Sequence, residues 1–157
     1  MGKDDKTNVM RVFDAAGVTY GHYSFDAKQK SGAEAAREMG ADPSSVFKTL
    51  VTVGKSGEHY VFMIPVLSEL NLKLAAAAAG EKSIAMIKEK ELLPLTGYVH
   101  GGCSPVEMKK QFRTFIDKSA ERFDIIYFSG GKVGRQVSLD PRDLENVLKI
   151  EYADLCI

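Results

Sequence analysis

Lys48 stands inside the apolar run Val46-Phe47-Lys48-Thr49-Leu50-Val51-Thr52-Val53. Its β-branched and aromatic residues mark a largely buried strand, which Gly54 stops. Lysine is seldom buried unless its ammonium is paired or reaches water. A partly desolvated cation in such a strand would act strongly on an anion or a polarised carbonyl bound beside it. A strand-end lysine with its ammonium in water satisfies the same pattern. Its company elsewhere in the chain has to decide between the two readings.

Two glycine-rich segments supply that company, residues 97–105 (Gly97-Tyr98-Val99-His100-Gly101-Gly102-Cys103-Ser104-Pro105) and residues 129–134 (Ser129-Gly130-Gly131-Lys132-Val133-Gly134). Glycines let backbone amides approach a ligand closely, and successive amides can form an anion-binding nest. Each segment also reads as an ordinary turn. Neither matches GxxxxGK[ST] or GxGxxG. Cys103 lies three residues from His100 with no third group to orient a dyad, and the two are too few for a zinc site. His22 and His59 read as strand or loop residues. G-x-S-x-G and HExxH motifs are absent. An enzyme built from these residues works without a standard protein nucleophile or metal.

Periodicity supplies the elements that position these groups. Val9, Val12, Phe13 and Ala16 recur at helical spacing over residues 5–16, closed by Gly17. Residues 18–25 read as a strand. Ser31 and Glu34 form a capping box that opens a short helix ending at Gly40, with Ala33, Ala36 and Met39 on its buried side. After the Lys48 strand, residues 54–57 make a hairpin into residues 60–65, apolar on both faces and so central in the sheet. Asn71 caps a helix over 72–79, closed by Gly80. A short strand at 83–86 precedes a charged helix over 87–92. Ser104 and Pro105 have the types that start a helical turn. Strands follow at 114–117, 125–128 and 135–139. Asp140 and Pro141 cap a last helix through about Leu148. Strands outnumber helices without βαβ alternation, which predicts an α+β fold: a curved mixed sheet or partial barrel surrounded by helices.

The 157 residues suit one domain, 1–157, able to bury a core without staples. Lys plus Arg and Asp plus Glu both number 21, so no global field draws nucleic acid. Lys109, Lys110 and Arg113 form the best local basic cluster, and Lys88 with Lys90 a second; solvated helix faces explain both equally simply. Two cysteines, Cys103 and Cys156, form no framework, so a cytoplasmic protein is the default. The N-terminus shows no signal peptide, and Lys6 excludes a myristoylation motif. The apolar stretch at residues 75–79 is far too short to span a bilayer.

Three ordered motifs carry a resemblance. They are Val46-Phe47-Lys48-Thr49-Leu50, then Thr96-Gly97-Tyr98 with Gly101-Gly102 and Ser104-Pro105, then Tyr127-Phe128-Ser129-Gly130-Gly131-Lys132. Together they resemble the YbaK/EbsC family of bacterial aminoacyl-tRNA editing proteins, over about residues 18–155. The resemblance implies the fold of that family and a free-standing deacylase of cysteine mischarged on proline tRNA, with no cofactor and no metal. It makes Lys48 the essential site lysine, with the Gly101 amide and the Ser129 hydroxyl at the reacting end. Tyr23, Thr49, Tyr98, Gly130 and Gln136 would line the substrate pocket. Gln136 falls near a position that is aspartate in some members, and Cys103 where an aliphatic residue is usual, which favours packing for it.

The implied chemistry is modest because an aminoacyl ester is already activated. Lys48 would anchor a phosphate or stabilise the carbonyl oxygen, as would amides of a glycine loop. For a cysteinyl ester the family's route uses the substrate's own thiol to form a cyclic thiolactone, a step that positioning alone accelerates. The resemblance also implies an aminoacyl-tRNA partner and a transient complex with prolyl-tRNA synthetase. Removal of alanine or another small residue by the same scaffold, and a non-catalytic tRNA- or nucleotide-binding module, are the competing readings. A Cys103 thiol enzyme is a third.

Overall fold

The computed structural model describes residues 6–24 and 32–156. The chain opens with helix α1 (Asn8–Ala16), where Thr7 Oγ1 accepts the Met10 amide at 3.2 Å and Gly17 ends the helix at φ 71°. Its buried face is Val9, Met10 and Phe13. Strand β1 (Gly21–Ser24) and helix α2 (Gly32–Glu38) follow. Asp42 and Pro43 start a 3-10 turn (Pro43–Ser45) that feeds β2 (Phe47–Gly54). A hairpin returns as β3 (His59–Pro65). Helix α3 (Leu72–Ala79), β4 (Ile84–Met86) and α4 (Glu89–Thr96) precede the first glycine loop. Then come β5 (Arg113–Asp117), a 3-10 turn (Lys118–Arg122), β6 (Ile126–Ser129), β7 (Arg135–Leu139), α5 (Pro141–Leu144) and β8 (Ile150–Ala153).

The strands form two sheets. Three antiparallel strands run in the order β1-β7-β6, and five run in the order β4-β2-β3-β5-β8. In the larger sheet β3–β5 and β5–β8 are parallel and the other pairs antiparallel. The expected α+β class holds, and the curved sheet takes the form of two sheets with no closed barrel. The apolar run of β3 is central as its pattern requires, with Val61, Phe62, Met63 and Ile64 fully buried. Phe47, Met63, Ile116, Phe128 and Val137 form a core between the sheets and α1. The alanines of α3 pack on Phe62 and Phe115, whose rings stack at 5.1 Å.

Several boundaries depart from the sequence expectations. The expected strand over 18–25 is ordered as sheet only from Gly21, and Phe25 and the Ser31 end of the capping box lie outside the described residues. The helix expected to stop at Leu92 runs through Pro94 to Thr96. Pro94 cannot donate, but Thr96 Oγ1 donates to the Leu92 carbonyl at 2.7 Å and Gly97 N–H to that of Leu93 at 2.9 Å, so the last turn keeps its partners. Ser104 and Pro105 begin no helix; Ser104 Oγ accepts the Val106 amide at 3.2 Å in a local turn. The last helix stops at Leu144, and the chain continues into β8, which sequence patterning missed. Ile150-Glu151-Tyr152-Ala153 is half-buried throughout, so it shows neither clean alternation nor a solid apolar run.

Asn71 Oδ1 accepts the amides of Lys73 and Leu74, both at 3.0 Å, and so holds the start of α3 against the sheet. Asn71→Ala should cost about 1 kcal/mol, the usual value of such a cap. Urea unfolding of the variant beside the wild type measures it, and an unchanged midpoint would mean that tertiary packing alone sets this helix start.

Candidate active site

The two sheets meet at one isolated parallel bridge, Val46 to Tyr127. Beyond it they diverge, and β2 is left with an open edge. Ile87 N–H reaches the Val51 carbonyl at 3.4 Å and Lys55 N–H reaches that of Ser83 at 3.0 Å, so the odd-numbered residues of β2 turn their backbone toward β4. Strand β4 pairs only with Thr52, Val53 and Gly54. Among the described residues no strand covers Thr49, whose N–H and C=O therefore face the space between the sheets.

That space is a cavity of about 230 Å3. Val46, Phe47, Leu50, Val66 and Leu92 give it apolar walls, and Ala35 of α2 closes one side. Its polar lining is Lys48, Thr49, His100, Gly101, Ser129 and Gln136, with the Cys103 thiol beside them. Among the described residues no aspartate or glutamate lines it. Lys48 thus brings a cationic residue to a lining otherwise made of neutral polar and apolar groups among the described residues, which suits an anionic or oxygen-rich ligand.

The smaller sheet supplies a polar ledge. Tyr23, Gln136 and Ser129 are paired across β1, β7 and β6 and so share one face. Gly21, Ser138 and Tyr127 follow on that face, while Phe128 and Val137 point into the core. Tyr23 hydroxyl lies 3.4 Å from Ser138 Oγ and its ring 5.8 Å from that of Tyr127. Gly21 leaves the room this needs, since a Cβ there would stand 2.6 Å from Ser138 Oγ. Ser129 Oγ accepts the Gly131 amide at 3.1 Å, which leaves its proton available to a ligand.

The two glycine loops press against each other. A Cβ on Gly102 would come within 2.9 Å of the Val133 backbone nitrogen and 3.1 Å of the Lys132 carbonyl carbon. Only glycine fits this backbone-to-backbone approach, which holds Gly101 and Ser129 at one cavity. Gly101 itself has φ 86°, in the left-handed region.

Lys48, Gly101, Ser129, Thr49 and Gln136 are brought together as the sequence suggested. Tyr23 belongs to the ledge through its pairing with Gln136. Tyr98 does not: it lies against Gly131 and α1, beside a separate cleft with Asn8 and Lys132. Its hydroxyl donates to the carbonyl of Val106 and, at 3.4 Å, to that of Glu107, which sits at φ 63°. Burial pushes its phenol well above the usual range. Tyr98 is therefore a pin for the loop and not a pocket wall. Gly130 is fully enclosed, its amide donating to Arg135 at 2.8 Å, and it serves the turn. His100 and Leu92 line the cavity although neither was selected from sequence. The adjacency of His100 to Gly101 was the available signal.

Cys103 is buried. Burial pushes its thiol up to about 12, against a lowering hydrogen bond from Thr96, which disfavours a nucleophilic thiolate. Of the basic clusters, Arg113 is committed, with Nε and Nη2 on Glu151 at 2.7 and 3.0 Å and its guanidinium over the Phe115 ring. With Lys110, His59 and Phe112 it lines a cleft of about 360 Å3, and its β3 partner Tyr60 lies four residues before Ile64, the partner of Lys48. That cleft lacks the converging glycine amides. Lys109 and Lys110 stand on an irregular loop and not on the helix face expected for them.

Two outcomes test this geometry. Gly102→Ala should destabilise the protein by roughly 1–3 kcal/mol, the usual cost of overpacking, and should speed alkylation of Cys103 by parting the loops. In the wild type, iodoacetamide at pH 8 should label Cys103 about a hundredfold more slowly than a free thiol. Labelling at the free rate, followed by mass spectrometry of the peptide, would contradict the buried neutral thiol.

Comparison with known proteins bears on the family and the fold. Residues 27–147 match the aminoacyl-tRNA editing domain. The chain is 38% identical, over 96% of its length and 93% of the relative's, to EbsC of Enterococcus faecalis, described as a candidate Cys-tRNA(Pro)/Cys-tRNA(Cys) deacylase. It is 23% identical to the uncharacterized YwhH of Bacillus subtilis, covering 84% of each chain. A crystal structure described as a candidate trans-editing enzyme for prolyl-tRNA synthetase superposes with a TM-score of 0.84 at 24% identity, covering 95% of this chain and 94% of that one. Among the described residues no helix is long and apolar enough to cross a membrane. The motifs, the fold and the family match converge: this chain belongs to the aminoacyl-tRNA editing domain family.

Proposed function

We propose that the protein is a trans-editing deacylase that removes cysteine mischarged on proline tRNA. The observation that carries this reading is the convergence of Lys48, the Gly101 loop and Ser129 on one cavity at the open edge of β2, in a chain 38% identical to EbsC, described as a candidate deacylase. The terminal ribose and its ester enter the cavity mouth. Lys48 holds a phosphate oxygen or the developing negative charge on the carbonyl oxygen, and the Gly101 amide donates to that same oxygen. The Ser129 hydroxyl donates to the ester or ribose oxygen. Thr49 and Gln136 contact the aminoacyl group, with Tyr23 supporting Gln136 from the ledge. Gly130 acts through the turn that carries Ser129.

The nucleophile is the substrate's thiol. Its sulfur bonds to the carbonyl carbon, the bond from that carbon to the ribose oxygen breaks, and the thiol proton passes to the leaving oxygen. A cyclic thiolactone and intact tRNA result. Cys103 supports this reading, because its burial disfavours a protein thiolate that would compete. Holding sulfur and carbonyl in contact is the enzyme's main contribution. With zero formal charge on the chain, tRNA affinity comes from a transient complex with prolyl-tRNA synthetase, in the cytoplasm where charged tRNA is present.

Deacylation of proline tRNA charged with cysteine or with alanine tests the proposal. Wild type should release cysteine and spare alanine, Lys48→Ala should fall by about 10²–10³-fold, and Cys103→Ser should stay within a few-fold. Release of alanine instead keeps the site and removes the thiolactone route. Binding of tRNA without release of either amino acid would leave a binding module.

A further inference from the structure

The cavity holds two buried polar atoms whose hydrogen-bonding capacity the protein leaves unused. Gln136 Oε1 and Thr49 Oγ1 are both shielded from solvent and have no hydrogen-bond partner among the described residues. One comes from β7 of the small sheet and the other from the open edge of β2, so they reach the same space from opposite walls. A buried acceptor left without a donor is costly, and a fold keeps such atoms where a ligand completes them. An amide oxygen only accepts, and a threonine oxygen can accept. The ligand group they fit is therefore one with at least two N–H or O–H donors.

The rest of the lining narrows this further. Lys48, the amides of the Gly101 loop and the Ser129 hydroxyl are donors, and they suit the carbonyl, ribose and phosphate oxygens. In an aminoacyl ester the α-amino group alone brings several donors on one atom. We infer that Gln136, with Thr49, holds the α-amino group of the bound aminoacyl ester, so that the site selects esters of free α-amino acids. This rests on the proposed editing reading and adds the part of the substrate that the ledge recognises. The acceptor is an uncharged amide, and among the described residues no carboxylate lines the cavity, so the contact that Gln136 makes is a hydrogen bond and not an ion pair.

The test uses amide-linked, non-hydrolysable analogues of 3′-cysteinyl adenosine, one with the α-amino group and one with hydrogen in its place, titrated calorimetrically into the intact protein. Wild type should bind the amino form about 10- to 100-fold more tightly. Gln136→Leu should abolish that preference by weakening the amino form only, and Gln136→Glu, which restores an acceptor oxygen, should keep it. Equal weakening of both analogues by Gln136→Leu, or an unchanged preference, would overturn the assignment. Thr49→Val, nearly isosteric, should reduce the preference by a smaller factor, and no change there would remove Thr49 from it. Failure of the editing reading is separable: wild type would then bind the amino analogue selectively yet release nothing from charged tRNA.

Discussion

The site depends on where two sheets stop touching. The Val46–Tyr127 bridge joins them once, and the buried Phe47 beside it anchors the start of β2 in the common core. Beyond that point β6 and β7 turn their polar face outward while β2 continues to β3. A strand normally fills such an edge, because unpaired backbone groups are costly to bury. Here β4 is only three residues long and covers the far half of β2. The half that no described strand covers borders the cavity, which Thr49 lines.

The glycine loops make the gap specific. Gly102 lets one loop lie against the backbone at Lys132 and Val133 of the other, so Gly101 and Ser129, far apart in sequence, are held at one cavity. Tyr98 fastens the first loop from outside through its hydrogen bonds to the carbonyls of Val106 and Glu107. The rigid parts of the site are thus backbone amides and short side chains, which need little reordering when a ligand arrives. That economy suits an ester that is already activated and a nucleophile carried by the substrate.

Much of this was legible because local physics agreed with the tertiary fold. The Asn71 cap and Gly80 stop of α3, the hairpin after Gly54 and the doubly buried β3 all follow from short-range rules, and the structure keeps each of them. Strand β8 escaped because a half-buried, short parallel strand leaves no period to read. Helix α4 ran past its proline because Thr96 and Gly97 satisfy its last carbonyls. Tyr98 was assigned to the pocket because its motif neighbours belong there, while its ring turns to the other side of the loop.

By itself the sequence determined most of the element types, the candidate cation Lys48, the two glycine loops and, through ordered motifs, the family. These are properties of residues near one another in the chain. Only the tertiary structure decided that Gln136 and Thr49 face one space from different sheets, that Gly102 presses one loop on the other, and that Arg113 is spent on Glu151. Such facts depend on how the strands are ordered and where β4 ends. No local pattern encodes them, because the partners lie tens of residues apart and meet only when the sheets have formed.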